Sequence, residues 1–238
     1  PEAELGVSID DDFPVLGKCA VQVNTTCDGS LMGNGLIAKR LEREYGIPTF
    51  QLVAPMRPKQ EDVQKYAAND VKAAIKFIEE QTGETFDWDA FFRAMKVYNQ
   101  ETEYELQKWE VNRTPYPQMT GETFWIYRMF FYHLSGGMDP HFLDTDRRVN
   151  RIMMRGYQQK KPCAPAMRHR CVEWSCPANF YPDFSVWAEN CWGINVVVEM
   201  ESLNFTKHLN TSDETEALRD MARLYERMVM RRHTNGGY

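Results

Sequence analysis

A strand–helix–strand pattern that occurs twice most constrains how this chain can fold. In the first occurrence, residues 19–24 are predicted as a short strand, residues 36–45 as a helix ending at Gly46, and Thr49–Val53 as a second strand. Strands joined through a helix by short connections favour a parallel pair with a right-handed crossover. The second occurrence predicts a strand at 169–174, a helix at 183–192 and a strand at 194–198.

The residues between the two occurrences are predicted to be helical. The first predicted helix ends at Thr82-Gly83, and others follow at about 88–112, 121–133 and 144–159. The first helix has an apolar face, which comprises Val63, Tyr66, Ala67, Val71, Ala74, Ile75 and Ile78. A last helix, 212–232, begins with the capping-box pattern Thr211-x-x-Glu214. We therefore predict an α/β fold with two Rossmann-like parallel-sheet halves joined by a helical segment. The predicted boundaries are 1–58 for the end of a first domain, 59–160 for the connection, and 161–238 for a second domain.

Charge and composition exclude two classes of partner. The chain has 238 residues, 43% of them hydrophobic, and a net charge of −6, so it can bury a core but repels the phosphates of nucleic acid. No stretch reaches the eighteen or so consecutive apolar residues that a membrane span needs. The first residues are acidic and lack the apolar region of a secretory signal, which predicts a cytoplasmic protein with reduced cysteines.

Two of the six cysteines come directly after predicted strands. Cys27 comes after the first strand, and Cys176 comes after the strand at 169–174. Ligands of open α/β sheets bind beyond the carboxyl ends of the strands, and a thiolate near a helix N-terminus has its charge stabilised. Both cysteines are candidates for metal ligation or nucleophilic attack, and the alternative for each is a small residue in a tight turn.

Other conspicuous residues fit structural roles. Cys19, Cys171 and Cys191 are predicted to be packing residues, and the spacing Cys163-x7-Cys171-x4-Cys176 is not that of a zinc site. The glycine-rich residues 29–35 are predicted as a loop, either one that lets backbone approach a phosphate or cluster or an ordinary connection. Trp187 and Trp192 are predicted to lie in a helical core.

The order of several short motifs resembles the 2-hydroxyacyl-CoA dehydratase and benzoyl-CoA reductase family over nearly the whole chain. The motifs are Thr25-Thr-Cys-Asp-Gly, Tyr45-Gly-Ile-Pro-Thr-Phe50, Thr82-Gly-Glu-Thr-Phe-Asp87, Met95-Lys-Val-Tyr-Asn99 and Ser175-Cys-Pro177. The resemblance implies a subunit that binds an iron–sulfur cluster, commonly [4Fe–4S], with Cys27 at the position of a cluster cysteine, and that pairs with a related second subunit.

The resemblance also implies a reaction. Dehydratases of this family remove water from an (R)-2-hydroxyacyl-CoA through a ketyl radical anion, after an ATP-hydrolysing iron–sulfur activator has supplied one electron. A further cluster cysteine is expected upstream of Pro1, and a final strand beyond Tyr238. Relatives often have another ligand cysteine after the strand at 194–198, where this chain has Glu199-Met-Glu-Ser-Leu203. Surface acidity accounts for Glu199 and Glu201 better than a ligand or base.

Two alternatives to a dehydratase remain at this point. Within the superfamily, the chain could belong to a benzoyl-CoA-type reductase or a double-cubane cluster reductase, which turnover of a hydroxyacyl-CoA would separate from a dehydratase. In another class, it could be a metal-free α/β partner subunit without catalytic residues, which would be colourless after anaerobic purification.

Overall fold

A computed structural model of the chain describes residues 17–24, 28–54, 59–120, 140–164, 166–173, 184–199 and 208–224. The chain divides into two compact units, Pro1–Asp87 and Trp88–Tyr238. Each unit contains a pair of parallel strands together with helices, which confirms the predicted α/β class. The described part of each sheet has two strands, so the Rossmann-like character of the halves and the boundaries at residues 58 and 160 stay predictions.

The first unit contains the predicted strand–helix–strand arrangement. Strand β1 (Ala20–Asn24) pairs in parallel with β2 (Thr49–Val53), and helix α1 (Asp28–Tyr45) connects them. The pairing runs from Ala20 opposite Thr49 to Asn24 opposite Val53. Both predicted strands and their parallel pairing are therefore confirmed, with β1 beginning one residue later than predicted.

Helix α1 begins eight residues earlier than predicted. The glycine-rich residues 29–35, predicted as a loop, belong to this helix. Space around Gly33 and Gly35 is open, and the Asn34 side chain between them donates hydrogen bonds to the carbonyl oxygen of Val23 and to Oδ1 of Asn24. These bonds tie the first turns of the helix to the end of β1, and this offsets the low helix propensity of glycine.

Helix α2 (Glu61–Thr82) completes the described part of the first unit and ends where predicted. Its buried residues are the small ones, Ala67, Ala68 and Ala74, and it packs against β2. Tyr66 and Ile78, two of the larger members of the predicted apolar face, are exposed. A face of alanines lets the helix approach the sheet closely and leaves the larger side chains at its margins.

Two long helices that run in the same direction form the centre of the second unit. Helix α3 (Trp88–Asn112) and helix α4 (Pro140–Gln158) contact each other along their length: Arg147 bonds to Tyr104, Asn150 bonds to Gln107, and Met153 packs with Val111. Later residues of one helix thus contact later residues of the other, which means that the helices are parallel. Helix α4 begins four residues before its predicted start, with Pro140 in the first turn, where proline is tolerated.

The second sheet repeats the parallel pairing of the first. Strand β3 (His169–Glu173) pairs with β4 (Ile194–Glu199), as predicted. Between them, a short helix α5 (Phe184–Trp187) continues into a π-helical segment (Ala188–Trp192). The prediction that Trp187 and Trp192 lie in a core is wrong, because about half of each side chain is exposed.

The register of the second sheet contains one irregularity. Cys171 lies opposite Val196, but the next residue of β3, Val172, lies opposite Val198. Val197 therefore has no partner residue on β3, which is the pattern of a β-bulge.

The last described helix, α6 (Glu214–Arg223), begins later than predicted. Its N-cap is Asp213, whose side chain accepts a hydrogen bond from the backbone N–H of Glu216 over 2.8 Å. The predicted capping box at Thr211 is therefore wrong. The Asn210 side chain accepts hydrogen bonds from the N–H groups of Ser212 and Asp213, which holds residues 210–213 in a turn outside the helix.

Several predictions fall outside the described residues, including the helix at 121–133, the turns that contain Cys27 and Cys176, and the end of the last helix. Within the described segments, no helix combines the length and the apolar character needed to cross a bilayer.

Candidate functional site

The carboxyl end of the β1–β2 sheet is held by a network of amide side chains. Asn24, the last residue of β1, is 3% exposed, and its Nδ2 donates to Oε1 of Gln51 over 3.0 Å. Its Oδ1 accepts from Asn34 of α1 over 2.8 Å, and its backbone oxygen accepts from the N–H of Ala54. The network fixes the end of the strand relative to the start of the helix. The sequence alone did not indicate this network, because Asn34 and Gln51 lie 10 and 27 residues after Asn24.

Cys27 lies outside the described residues, but its neighbours along the chain are placed. Strand β1 ends at Asn24, and α1 begins at Asp28, the residue directly after Cys27. Helix α1 is 18 residues long, and the partial positive charge at the N-terminus of such a helix stabilises a nearby thiolate. The predicted helix began at Leu36, nine residues after Cys27, whereas the observed helix begins at the next residue. A helix that begins there favours a thiolate at Cys27 more than the predicted helix would.

The carboxyl end of the β3–β4 sheet is fixed by a buried asparagine. Asn112 at the end of α3 is fully buried, and its Nδ2 donates to the carbonyl oxygen of Met119 over 3.0 Å and to that of Val197 over 3.1 Å. Its Oδ1 accepts from the N–H groups of Gln118 and Met119. Arg170 of β3 donates to the carbonyl oxygens of Asn112 and Arg113, over 3.2 and 2.6 Å.

The two strands of this sheet end with carboxylic acids at paired positions. Glu173 and Glu199 lie opposite each other in the register, at the edge of the sheet where ligands of α/β proteins bind. Cys176 lies three residues beyond Glu173, outside the described residues. The structure thus places the two strand ends side by side, and neither glutamate has a role assigned.

The other cysteines do not form a cluster site in the described residues. Burial raises the pKa of the Cys163 thiol, and the hydrogen bond from Asn195 offsets this only in part. Cys19 and Cys171 are partly buried free thiols, in agreement with packing roles, whereas Cys191 is exposed, so the packing role predicted for it is wrong. Among the residues that the structure describes, no three acidic, cysteine or histidine side chains come together as metal ligands.

A cluster of buried charges lies between α3 and α4. Lys108 Nζ bonds to Glu105 Oε1 over 2.7 Å and to Asp146 Oδ1, and all three side chains are at most 2% exposed. Oε2 of Glu105 and Oγ1 of Thr102 are buried with no hydrogen-bond partner in the described part of the chain. The sequence did not indicate this cluster, because charged residues on a helix are normally assigned to the exposed face.

A cavity of about 440 Å³ opens near the shared carboxyl ends of α3 and α4. Its lining residues are Gln107, Glu110, Val111, Arg113, Thr114, Met154 and Tyr157. Arg113 and Glu110 form an exposed ion pair of 2.6 Å at this cavity, while Val111 and Met154 contribute to an apolar cluster below it. The charged groups of the lining therefore bind each other, and we assign the cavity no chemical role.

Comparison with models of protein families identifies a family that covers the chain. The model of a family described as 2-hydroxyglutaryl-CoA dehydratase, D-component, matches residues 3–237, nearly the whole chain. A search of curated proteins found no match.

Proposed function

Because the chain belongs to the 2-hydroxyglutaryl-CoA dehydratase D-component family, we propose that it is a subunit of a 2-hydroxyacyl-CoA dehydratase. Such an enzyme is a lyase that eliminates water from an (R)-2-hydroxyacyl-CoA. The match over residues 3–237 is the observation that carries this proposal. The structure is consistent with it in fold class, since both units have a pair of parallel strands together with helices.

We further propose that Cys27 is a ligand of an iron–sulfur cluster, of the [4Fe–4S] type, and that Cys176 is a second candidate ligand. Cys27 supports this by its position between the end of β1 and the first residue of an 18-residue helix. A ligand must be a thiolate, and the helix N-terminus favours the charged form. Cys163 fits less well, because burial raises the pKa of its thiol.

A bound cluster would supply low-potential electron transfer, which is the chemistry that this elimination requires. The β-proton of a thioester is weakly acidic, so base alone does not eliminate water. Adding one electron to the carbonyl would form a ketyl radical anion that expels the 2-hydroxyl group as hydroxide, and the resulting radical would then lose the β-proton and give the electron back as the enoyl-CoA forms. The proposal therefore includes a separate ATP-hydrolysing activator that delivers the electron, a related second subunit, and an acyl-CoA substrate in the cytoplasm.

The test is anaerobic iron and sulfide analysis with EPR spectroscopy on the full-length protein, a Cys27→Ala variant and a Cys191→Ala control. The control removes an exposed cysteine far along the chain. We expect the cluster to be lost or altered in Cys27→Ala and unchanged in Cys191→Ala. Metal-free protein in all three samples would refute the proposed cluster and favour an α/β partner subunit without metal. An unchanged cluster in Cys27→Ala would refute the proposal that Cys27 is a ligand.

The substrate is tested separately. The full complex with activator and ATP should convert a 2-hydroxyacyl-CoA to the enoyl-CoA, which is followed by mass spectrometry. Reduction of an aromatic acyl-CoA without that turnover would favour the benzoyl-CoA-type or double-cubane reductase alternative instead.

A further inference from the structure

We propose that Asn112 is a positioning residue for the carboxyl end of the β3–β4 sheet, acting through the bulged residue Val197. The effect of Asn112 on an iron–sulfur cluster rests on the proposed function. The structural part of the proposal, that the Asn112 side chain helps to set the register of the strand ends, rests on contacts within the second unit alone.

The contacts of the Asn112 side chain are highly specific. The side chain is 0% exposed, and its amide makes four hydrogen bonds, two as donor and two as acceptor. This uses the two N–H groups and both acceptor directions of an asparagine amide. Three of the bonds hold residues 118 and 119, and the fourth reaches Val197, 85 residues further along the chain. No other natural side chain of the same size has this combination of donors and acceptors.

The fourth bond ends at the irregular position of the sheet. Val197 is the residue of β4 that has no partner on β3, because the register passes from Cys171–Val196 directly to Val172–Val198. A bulged residue interrupts the regular hydrogen bonding of the strands and must find partners elsewhere. The Nδ2 group of Asn112 is such a partner for the Val197 carbonyl oxygen, at 3.1 Å.

The bulge lies close to the carboxyl end of the sheet. Only two residue pairs, Val172–Val198 and Glu173–Glu199, lie between Val197 and that end. A shift of one residue in a strand moves every later side chain to the other face of the sheet. The Asn112 bond therefore helps to set which residues of the two strand ends are paired.

Arg170 supports the same arrangement from the neighbouring strand. Its guanidinium donates to the carbonyl oxygens of Asn112 and Arg113, which ties the end of α3 to β3 as Asn112 ties it to β4. The carboxyl end of α3 is thus bonded to both strands.

The test compares Asn112→Asp with the matched control Asn150→Asp. Aspartate keeps the shape of Asn112 and its acceptor oxygen but loses the Nδ2 donor to the carbonyl oxygens of Met119 and Val197 and adds a negative charge. The control variant adds the same charge at another buried asparagine. Asn150 is also buried, on α4, and its amide bonds to Gln107 of α3 rather than to a strand. Hydrogen exchange is measured by mass spectrometry on peptides that cover residues 194–199 and, for comparison, residues 101–111.

We expect exchange at 194–199 to accelerate at least tenfold in Asn112→Asp and less than twofold in Asn150→Asp. Equal acceleration in the two variants, or none at 194–199 in Asn112→Asp, would overturn the proposal. If Asn112→Asp does not fold, Arg170→Met removes the second tie from an exposed position and is expected to accelerate exchange at 194–199 about threefold; no acceleration overturns the proposal.

The EPR spectrum of the cluster separates a positioning role from general destabilisation, which would not change the line shape at full iron content. In anaerobically prepared full-length protein, Asn112→Asp should change the EPR line shape at full iron content, whereas Asn150→Asp should not. An unchanged line shape beside accelerated exchange would refute the link to the cluster. Absence of iron from the parent protein would refute the proposed cluster itself, and the exchange experiment would still decide the positioning role.

Discussion

Replacing Lys108 with methionine should destabilise the second unit more than any other single loss of charge that the structure describes there. Lys108 is fully buried and bonds to two carboxylates, Glu105 and Asp146, that are buried as well. Methionine fills much of the same volume, so the main effect is to leave two negative charges without their cation. Removing one partner of a buried ion pair costs about 3–5 kcal/mol.

The size of this effect can be compared with total stability. A loss of about 4 kcal/mol changes the folding equilibrium roughly a thousandfold, and native domains are stable by about 5–15 kcal/mol. The Lys108→Met variant is therefore expected to be folded at room temperature with a much lower urea midpoint. Substituting Glu105→Gln and Asp146→Asn in the same variant removes the uncompensated charges and should restore most of the loss.

The assay is urea unfolding followed by tryptophan fluorescence. All six tryptophans lie at or beyond Trp88, so the signal reports on the second unit alone. The control is Arg113→Met, which removes an exposed cation from the residue directly after the same helix; its ion pair with Glu110 is worth about 0–1 kcal/mol. If Lys108→Met costs no more than Arg113→Met at an unchanged denaturant slope, the inference that Lys108 compensates buried charge is refuted.

Two further predictions concern a glycine and a thiol. Gly193 has φ +66°, and a Cβ there would collide with the carbonyl oxygen of Ala166, whereas Gly46 has φ +65° in open space. Gly46→Ala should therefore cost about 1–2 kcal/mol from backbone strain alone, and Gly193→Ala roughly 3 kcal/mol or more from strain and overpacking together. Urea midpoints measure both losses when unfolding is followed by circular dichroism, because the unit that contains Gly46 has no tryptophan. Equal losses would contradict the steric argument. Cys163 and Cys191 are both exposed residues. Because partial desolvation raises the pKa of the Cys163 thiol, its thiolate forms at higher pH than that of an ordinary cysteine, and iodoacetamide should label Cys163 more slowly than Cys191 at pH 7.5. Mass spectrometry of the labelled peptides reports both rates, and faster labelling of Cys163 would show that the thiol is not held in its protonated form.

The parts of the fold that depend on local pattern could be predicted from the sequence. Strands β2 and β4 are short apolar runs bounded by turn residues, and their partners lie fewer than 30 positions away, so both parallel pairs were predicted correctly. The ends of α2 and α3 at Thr82 and Asn112 were also predicted, because glycine and proline come after them.

The parts that depend on distant partners could not be predicted. Glu105 and Lys108 look like exposed helix residues until Asp146, 38 positions after Lys108, is known to face them. The glycines near Asn34 indicated a loop because the bonds from Asn34 to β1 cannot be inferred from helix propensity. The same holds for Asn112, whose partner Val197 belongs to another element. Both sheet ends are thus fixed by asparagine amides that no local pattern identifies.

The contrast between local strand pairing and distant amide contacts has a consequence for the order of folding. Pairing β3 with β4 closes a loop of about 25 residues, while the bond between Asn112 and Val197 spans 85 residues and that between Asn99 and Leu209 spans 110. Short loops close with a smaller loss of chain entropy, so contacts of low sequence separation form first. The strand pair is expected to form before helix α3 docks on it, and the Asn112 bond then forms after the main barrier. Loss of that bond would accelerate unfolding and leave the folding rate almost unchanged.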